Sequence, residues 1–317
     1  MIRTAVIGVG YLGRFHAQKY ASLPNSQLIG IADPSAAARE AVAAELKVPA
    51  HADYRDLLGK VDAVSIVTPT PLHYDVAKAF LESGASVLVE KPMTVTTAEG
   101  EQLVEIAGQT KRILQVGHLE RFNAAVLAVQ PTLTVPRFIE SARLAPFKHR
   151  GTDVDVVLDL MIHDIDLILS IVRSAVVSVD AIGTSVFSNE IDIANARLRF
   201  ANGCVANATA SRVSLKTERK LRLFQDDAYM SLDLQQKILT IIRKGDGVGP
   251  DGMPQVAIEE NTYEQGDALK AEIEAFLEAV ATGRPPPVTG EDGLLALRTA
   301  VSIAEQVASS MSKFSKA

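Results

Sequence analysis

The chain has 317 residues, more than one ordinary core accommodates, so two domains are expected. Hydrophobic residues make up 47% and charged residues 22%, as in an ordinary soluble protein, and a net charge of -6 gives no reason to expect a nucleic-acid partner. The single cysteine, Cys204, cannot close an internal disulfide, and no Cys/His cluster suggests a structural metal. No apolar run is long enough to span a bilayer, and MIRTAVIGVG lacks the basic region and cleavage site of a signal peptide. The expectation is a cytoplasmic protein with no membrane partner.

In chain order, Thr4–Val9, Gln27–Ala32, Ala63–Val67, Ser86–Val89 and Arg112–Val116 read as strands. They are rich in Val and Ile with little polar alternation, as strands buried on both faces of a parallel sheet are. Gly13–Ser22, Ser35–Leu46, His73–Ser83 and Thr97–Thr110 have helical spacing between them. Strand and helix in alternation predict a doubly wound parallel sheet over residues 1–118.

Beyond His118 the pattern changes. A helix is predicted over Val154–Arg173. Alternating runs follow at Ser178–Phe187, Ala194–Phe200, Cys204–Arg212, Arg219–Phe224, Tyr229–Leu234 and Lys237–Arg243, which read as an antiparallel sheet with one buried face. Gly245–Gly252 reads as a glycine-rich loop, and helices over Asp267–Thr282 and Asp292–Ser310 close the chain around the stop Arg284-Pro285-Pro286-Pro287. Residues 119–317 are thus expected to form an α+β domain for substrate binding and oligomerisation, its last helix a candidate to pack back on the first domain.

AVIGVGYLG places Gly8, Gly10 and Gly13 in G-x-G-x-x-G spacing, with Tyr11 and Leu12 between the last two. The motif follows a predicted strand and precedes a predicted helix, the context that makes it informative for a dinucleotide. The phosphates would sit on the helix N-terminus. Asp33 closes the second strand, where a carboxylate accepts hydrogen bonds from ribose hydroxyls and repels a 2′-phosphate. No Arg or Lys follows before Arg39, which favours NAD over NADP. Glu90-Lys91-Pro92 sits at the C-terminal end of another strand, where ligands of such sheets bind. A lysine there can steady negative charge on a reacting oxygen, although a surface lysine before a turn reads equally well.

These features, with Thr68-Pro69 and His73 and with an Asp-x-x-x-His pair on the first helix of a second domain, resemble the Gfo/Idh/MocA oxidoreductases over essentially the whole chain. The resemblance implies a Rossmann domain, a C-terminal α/β domain with a large open sheet, a nicotinamide cofactor held also by Thr68, Pro69, His73, Glu90 and Lys91, and dimers or tetramers built on the open sheet. It bears on VLDLMIHDID, residues 157–166, where Asp159, His163 and Asp166 interrupt a run that otherwise reads as core. At helical spacing the three share one face, with Val156, Leu160 and Leu167 anchoring the helix to the sheet. By resemblance, His163 is the catalytic base, Asp159 its carboxylate partner and Lys91 the catalytic lysine. Asp166 is left between a supporting and a structural role. A metal bound by Asp159, His163 and Asp166 is open by ligand type. Hydride transfer needs none beside Lys91 and His163, so no metal is expected.

For the substrate, His118 and Arg121 follow the last strand of the first domain, and Lys148 and Arg150 precede the Asp159 helix. Arg121, Lys148 and Arg150 are candidates to hold a diphosphate by charge-assisted hydrogen bonds, or they are solvated surface charges. GHLERFN together with RGTDVDVVLDLMIHDID resembles the branch of the family that includes UDP-N-acetylglucosamine 3-dehydrogenases. Ala124 stands where that branch is expected to have proline. A dehydrogenase of a free sugar or a cyclitol such as myo-inositol, and a non-catalytic dinucleotide sensor, are the alternatives.

Overall fold

The computed structural model describes residues 1–148, 154–248, 252–264 and 266–314. The chain divides into two compact units, Met1–Leu119 with Asp267–Leu295, and Glu120–Gly266 with Ala296–Ala317.

The first unit alternates β1 (Ile2–Ile7), α1 (Tyr11–Ser22), β2 (Ser26–Ala32), α2 (Ala36–Leu46), β3 (Ala50–His51), β4 (Ala63–Ile66), α3 (His73–Glu82), β5 (Ser86–Glu90), α4 (Thr97–Thr110) and β6 (Leu114–Gly117). The strands form one parallel sheet in the order β3-β2-β1-β4-β5-β6. The order reverses direction beside β1, which places a switch point at the β1–α1 turn, where ligands of doubly wound sheets bind. Strand β4 is buried at every residue, as its unbroken Ala-Val-Ser-Ile run requires. Its one hydroxyl, Ser65, is met by Tyr20 of α1 at 2.8 Å, which pins α1 to the sheet. The two-residue edge strand β3 has no counterpart among the sequence-predicted strands.

The second unit begins with α5 (Ala124–Val129) and β7 (Phe138–Leu144), neither of which the sequence pattern revealed. Residues Val157–Met161 are wound as a π-helix that runs directly into α6 (Ile162–Val172). Then come β8 (Val176–Thr184), β9 (Ile193–Phe200), β10 (Val205–Ser211), β11 (Glu218–Phe224), β12 (Ala228–Asp233), β13 (Ile238–Val248) and β14 (Pro254–Thr262). The eight-stranded order is β14-β13-β12-β11-β7-β10-β9-β8. Every neighbouring pair is antiparallel except β7 and β10, so the sheet is mixed rather than purely antiparallel. The predicted loop from Gly245 is corrected: β13 continues through Gly245 and Gly247 to Val248, paired with β14. A Cβ at Gly247 would stand 2.7 Å from the amide oxygen of the exposed Gln255 side chain on β14. The sheet's buried face carries Ala194, Ala196, Leu198, Ala206, Ala208 and Leu221, packed with Ile162, Ile165 and Leu169 of α6 in one core. The small alanines of β9 and β10 let a helix approach closely.

Helix α7 (Ala268–Thr282) belongs to the first unit, where Ile273, Phe276 and Leu277 are fully buried against Val6, Tyr20 and Ile31. Helix α8 (Gly290–Phe314) starts in the first unit and ends in the second. No helix among the described residues is long and apolar enough to cross a membrane.

Asp192 governs the loop before β9. Its carboxylate accepts from the main-chain N–H groups of Val186, Phe187 and Ser188 at 2.6–2.9 Å, from the Ser188 hydroxyl and from Arg212 Nε at 2.7 Å. Arg212 Nη1 goes on to the Val154 carbonyl at 2.5 Å, which ties this loop to the start of the Val157–Met161 turn. Burial alone would raise the Asp192 carboxyl, yet the hydrogen bonds from Arg212, Ser188 and the main chain hold it well below the usual carboxylate range. A depressed carboxylate stabilises the fold above its unfolded pKa, near 4, and loses that contribution as pH falls through the lower folded value. Asp192→Ala removes the carboxylate that meets the buried Arg212 at 2.7 Å. It is expected to destabilise the protein by about 3–5 kcal/mol at neutral pH, a deficit that narrows as the wild type is acidified, both read from denaturant unfolding.

Candidate active site

The dinucleotide side lies at the β1–α1 turn. Gly8 has φ +83°, and a Cβ there would meet the Val67 carbonyl at 2.7 Å; a Cβ at Gly13 would meet the Gly8 carbonyl at 1.8 Å. Both glycines are thus demanded by backbone approaching backbone. At Gly10 a Cβ would meet no protein atom within 4 Å, so glycine there leaves room for something other than protein. Helix α1 has no side-chain cap and no acidic residue in its first turn, whereas α4 carries a full Thr96–Glu99 capping box. The uncapped N–H groups and the helix dipole suit a pyrophosphate.

Asp33 stands just past β2. Its Oδ2 accepts from Val9 N at 2.9 Å and its Oδ1 from Ser35 N at 2.8 Å, which fixes the carboxylate beside the glycine turn. Each oxygen retains a lone pair for a ribose hydroxyl. Arg39 reaches back to the Pro34 carbonyl at 3.1 Å and the Asp33 carbonyl at 3.4 Å. Both acceptors are main-chain carbonyls, so the Arg39 guanidinium is engaged by the Asp33–Pro34 backbone, and the Asp33 carboxylate faces the glycine turn as the group that repels a 2′-phosphate. Asp33→Ser is expected to lower the preference for NAD over NADP by at least about tenfold, or ~1.4 kcal/mol, measured as the ratio of kcat/KM values.

Thr68 and Pro69 follow β4; Glu90 ends β5, and Lys91 and Pro92 follow it. The Lys91–Pro92 peptide is cis. His73, 1% exposed, places Nε2 2.8 Å from the Thr68 carbonyl and Nδ1 2.9 Å from the Pro92 carbonyl. The ring thus braces the loops after β4 and β5 against each other. Burial lowers the His73 pKa despite these two acceptors. Glu90 meets buried His16 of α1 at 3.2 Å, and its other oxygen accepts the Lys91 N–H at 3.3 Å. Burial would raise the Glu90 carboxyl, but His16 and Lys91 hold it below its ordinary value. Sequence reasoning did not connect His16 to Glu90; a buried polar residue on a helix that faces β5 was the available signal. Tyr11 is exposed, and Leu12 and Lys91 are partly exposed.

In the second unit, Asp159 lies in the π-turn and His163 in the first turn of α6; both are partly exposed. Asp155 caps the π-turn, its Oδ1 accepting from Val157 N at 2.8 Å and Leu158 N at 2.9 Å. Burial raises the Asp155 carboxyl. Asp166 is 1% exposed and receives both Nε and Nη2 of Arg121, at 2.6 and 2.7 Å. Its open role therefore has a structural partner, and much of Arg121's hydrogen-bonding capacity is directed at Asp166. Asp164, absent from the sequence reading, is equally buried and is held by Arg143 Nε at 2.8 Å and Nη2 at 3.1 Å. Arg143 Nη1 also reaches Glu120 at 3.0 Å. Burial pushes the Asp164 carboxyl up, and Arg143 opposes it. Of the remaining substrate-side candidates, His118 is 1% exposed and Lys148 is exposed, while Arg150 lies outside the described residues.

Residues 2–118 match the model of the oxidoreductase family with an NAD-binding Rossmann fold, and residues 147–313 match that family's C-terminal alpha/beta domain. The chain belongs to the Gfo/Idh/MocA oxidoreductase family and is an NAD-binding oxidoreductase. It is 43% identical over 303 residues to UDP-N-acetylglucosamine 3-dehydrogenase of Acidithiobacillus ferrooxidans, covering 95% of this chain and 96% of that one. The solved structure of that enzyme superposes with a TM-score of 0.91 over 96% of this chain and 97% of the other. Inositol 2-dehydrogenase of Rhizobium meliloti is 25% identical over 97% of both chains. A levoglucosan dehydrogenase in complex with NADH shares the fold at a TM-score of 0.86, with 17% identity and 97% of both chains covered.

Proposed function

We propose that the chain is an NAD-dependent dehydrogenase that oxidises a sugar secondary hydroxyl to a ketone, namely the 3-hydroxyl of UDP-N-acetylglucosamine. The observation that carries the substrate is the 43% identity, along 95% of the chain, to an enzyme of that name. The first unit, Met1–Leu119 with Asp267–Leu295, serves the dinucleotide, and the second, Glu120–Gly266 with Ala296–Ala317, serves the sugar and self-association. The glycine turn at Gly8, Gly10 and Gly13, the free first turn of α1 and the fixed Asp33 carboxylate fit NAD, which when bound accepts the hydride from the carbinol carbon.

The chain's own residues do the proton chemistry. His163 takes the hydroxyl proton, a task suited to imidazole near neutral pH. Asp159 orients the ring and supports the imidazolium. The Lys91 ammonium steadies the oxygen as its charge develops. Because Arg121 is occupied by Asp166, the diphosphate falls chiefly to Lys148 and Arg150. In this reading the protein is cytoplasmic and assembles as a homodimer or homotetramer on the face of the eight-stranded sheet away from α6. That face presents Asn195, Arg197, Asn207 and Arg222, exposed or half-buried.

The test is NADH formation with UDP-N-acetylglucosamine, UDP-N-acetylgalactosamine, UDP-glucose, myo-inositol and glucose. A trap for the ketone is included, because the equilibrium opposes it. Signal with UDP-N-acetylglucosamine, inhibited by UDP, is expected. Signal with inositol or a free sugar alone, untouched by UDP, overturns the substrate and favours the reading that the inositol dehydrogenase relatives support.

A further inference from the structure

Two buried carboxylates stand next to His163 on the same helix, and neither is explained by hydride transfer. Taking His163 as the reference, an α-helix advances about 100° per residue. Asp164 therefore projects about 100° to one side of the imidazole and Asp166 about 60° to the other. Each meets its own arginine through two nitrogens: Arg143 of β7 holds Asp164, and Arg121 holds Asp166. The two clamps are joined, because Glu120, the neighbour of Arg121, accepts from Arg143 at 3.0 Å. The side chains of Asp164 and Asp166 are 2% and 1% exposed, those of Arg143 and Arg121 4% and 14%.

Buried ion pairs are a poor means of gaining stability, because desolvation consumes most of the attraction; apolar residues of similar volume often do as well. Their geometry is their distinctive property. A bidentate arginine–carboxylate pair has one preferred plane, and two such pairs on opposite flanks resist rotation of the helix in either sense. Resistance matters here because the turn just before is a π-helix. The Ile162 N–H reaches the Val157 carbonyl five residues back, and such a turn is a local departure that neighbouring α-helical register does not enforce.

We infer that Arg143, with the Glu120–Arg121 turn, forms a collar that sets the rotation of α6 and so aims His163; Arg143 and Arg121 are positioning residues for the reaction. The inference rests on the reading of His163 as the base. Three variants and one combination test it. Arg143→Lys keeps the charge and loses the fork. Arg143→Met/Asp164→Leu removes the pair without leaving a lone charge. His163→Ala alone and combined with Arg143→Lys reports whether the effect passes through the imidazole.

Both collar variants are expected to lower kcat by about tenfold to a hundredfold, since sub-ångström to 1 Å misplacement carries penalties of that size. The KM for NAD and for UDP-N-acetylglucosamine should change by less than about threefold, which a general loss of structure would not reproduce. In the His163→Ala background Arg143→Lys should have no further effect on kcat. A wild-type kcat in the double variant, or an undiminished effect of Arg143→Lys without the imidazole, overturns the collar. Should the double variant not fold, Arg143→Lys and its combination with His163→Ala decide alone. Near-normal turnover in His163→Ala would instead remove the base assignment, a different and separately visible failure.

Discussion

Exchange of His163 for alanine is expected to lower turnover by roughly two to four orders of magnitude while the protein remains folded. The size follows from the role: a positioned base contributes that much when the proton must leave as hydride departs. The fold should tolerate the change. His163 is partly exposed, so no large cavity opens, and α6 is anchored by the fully buried Ile162, Ile165, Leu167 and Ile168 and by the Asp164 and Asp166 pairs. NADH affinity should be unaffected, because Gly8–Gly13 and Asp33 lie in the other unit. The measurement is kcat and KM with UDP-N-acetylglucosamine, beside an NADH titration and thermal unfolding. A folded variant with near-normal turnover removes His163 from the mechanism. A loss of NADH binding would mean that the imidazole serves the cofactor instead.

The first unit was legible because its strands are buried on both faces. Runs such as Ala63–Ile66 have no polar alternation to confuse them, and the helix Thr97–Thr110 between two such runs shows plain helical spacing. The second unit was legible only where one face is buried and the other polar. Strand β14 escaped because Gln255–Glu260 are all exposed and carry no alternation to read. Strand β7 escaped because Glu140, Ser141 and Arg143 make FIESARL look like a charged connection; its buried positions include Ser141 and Arg143 themselves.

The same strand explains what was missed at the site. Asp164 lies between His163 and Ile165, and its partner Arg143 is 21 residues away. Regular helical spacing groups Asp159, His163 and Asp166 on one face, whereas the structure places Asp159 in a π-turn and buries Asp166 against Arg121. Spacing reveals nothing about which distant segment supplies a counter-ion, so the pairing of Arg121 Nε and Nη2 with Asp166 has no signal in the sequence. The π-turn is likewise silent in the sequence: Val157–Met161 has the composition of any buried helix.

Gly13→Ala is expected to weaken NADH binding by more than about a hundredfold and to lower thermal stability, because its Cβ would stand 1.8 Å from the Gly8 carbonyl oxygen and 2.9 Å from its carbon. Gly8 cannot yield. Its N–H is tied to the Ala32 carbonyl at 2.8 Å, and its own far side is closed by the Val67 carbonyl. Helix α1 must therefore move, and with it the buried Ala17 and the Tyr20–Ser65 hydrogen bond. Overpacking a rigid contact costs about 1–3 kcal/mol or more. Fluorescence titration with NADH and thermal unfolding would read both effects. The companion variant separates the turn's two duties. Gly10 has φ -64° and ψ -153°, outside the left-handed region that favours glycine, and its Cβ would meet no protein atom within 4 Å. Gly10→Ala should therefore unfold at the wild-type temperature. If the pyrophosphate lies against this turn, the same methyl group occupies its approach and NADH affinity falls without any loss of stability. Unchanged affinity in Gly10→Ala would place the pyrophosphate elsewhere, and Gly13 would then matter for packing alone.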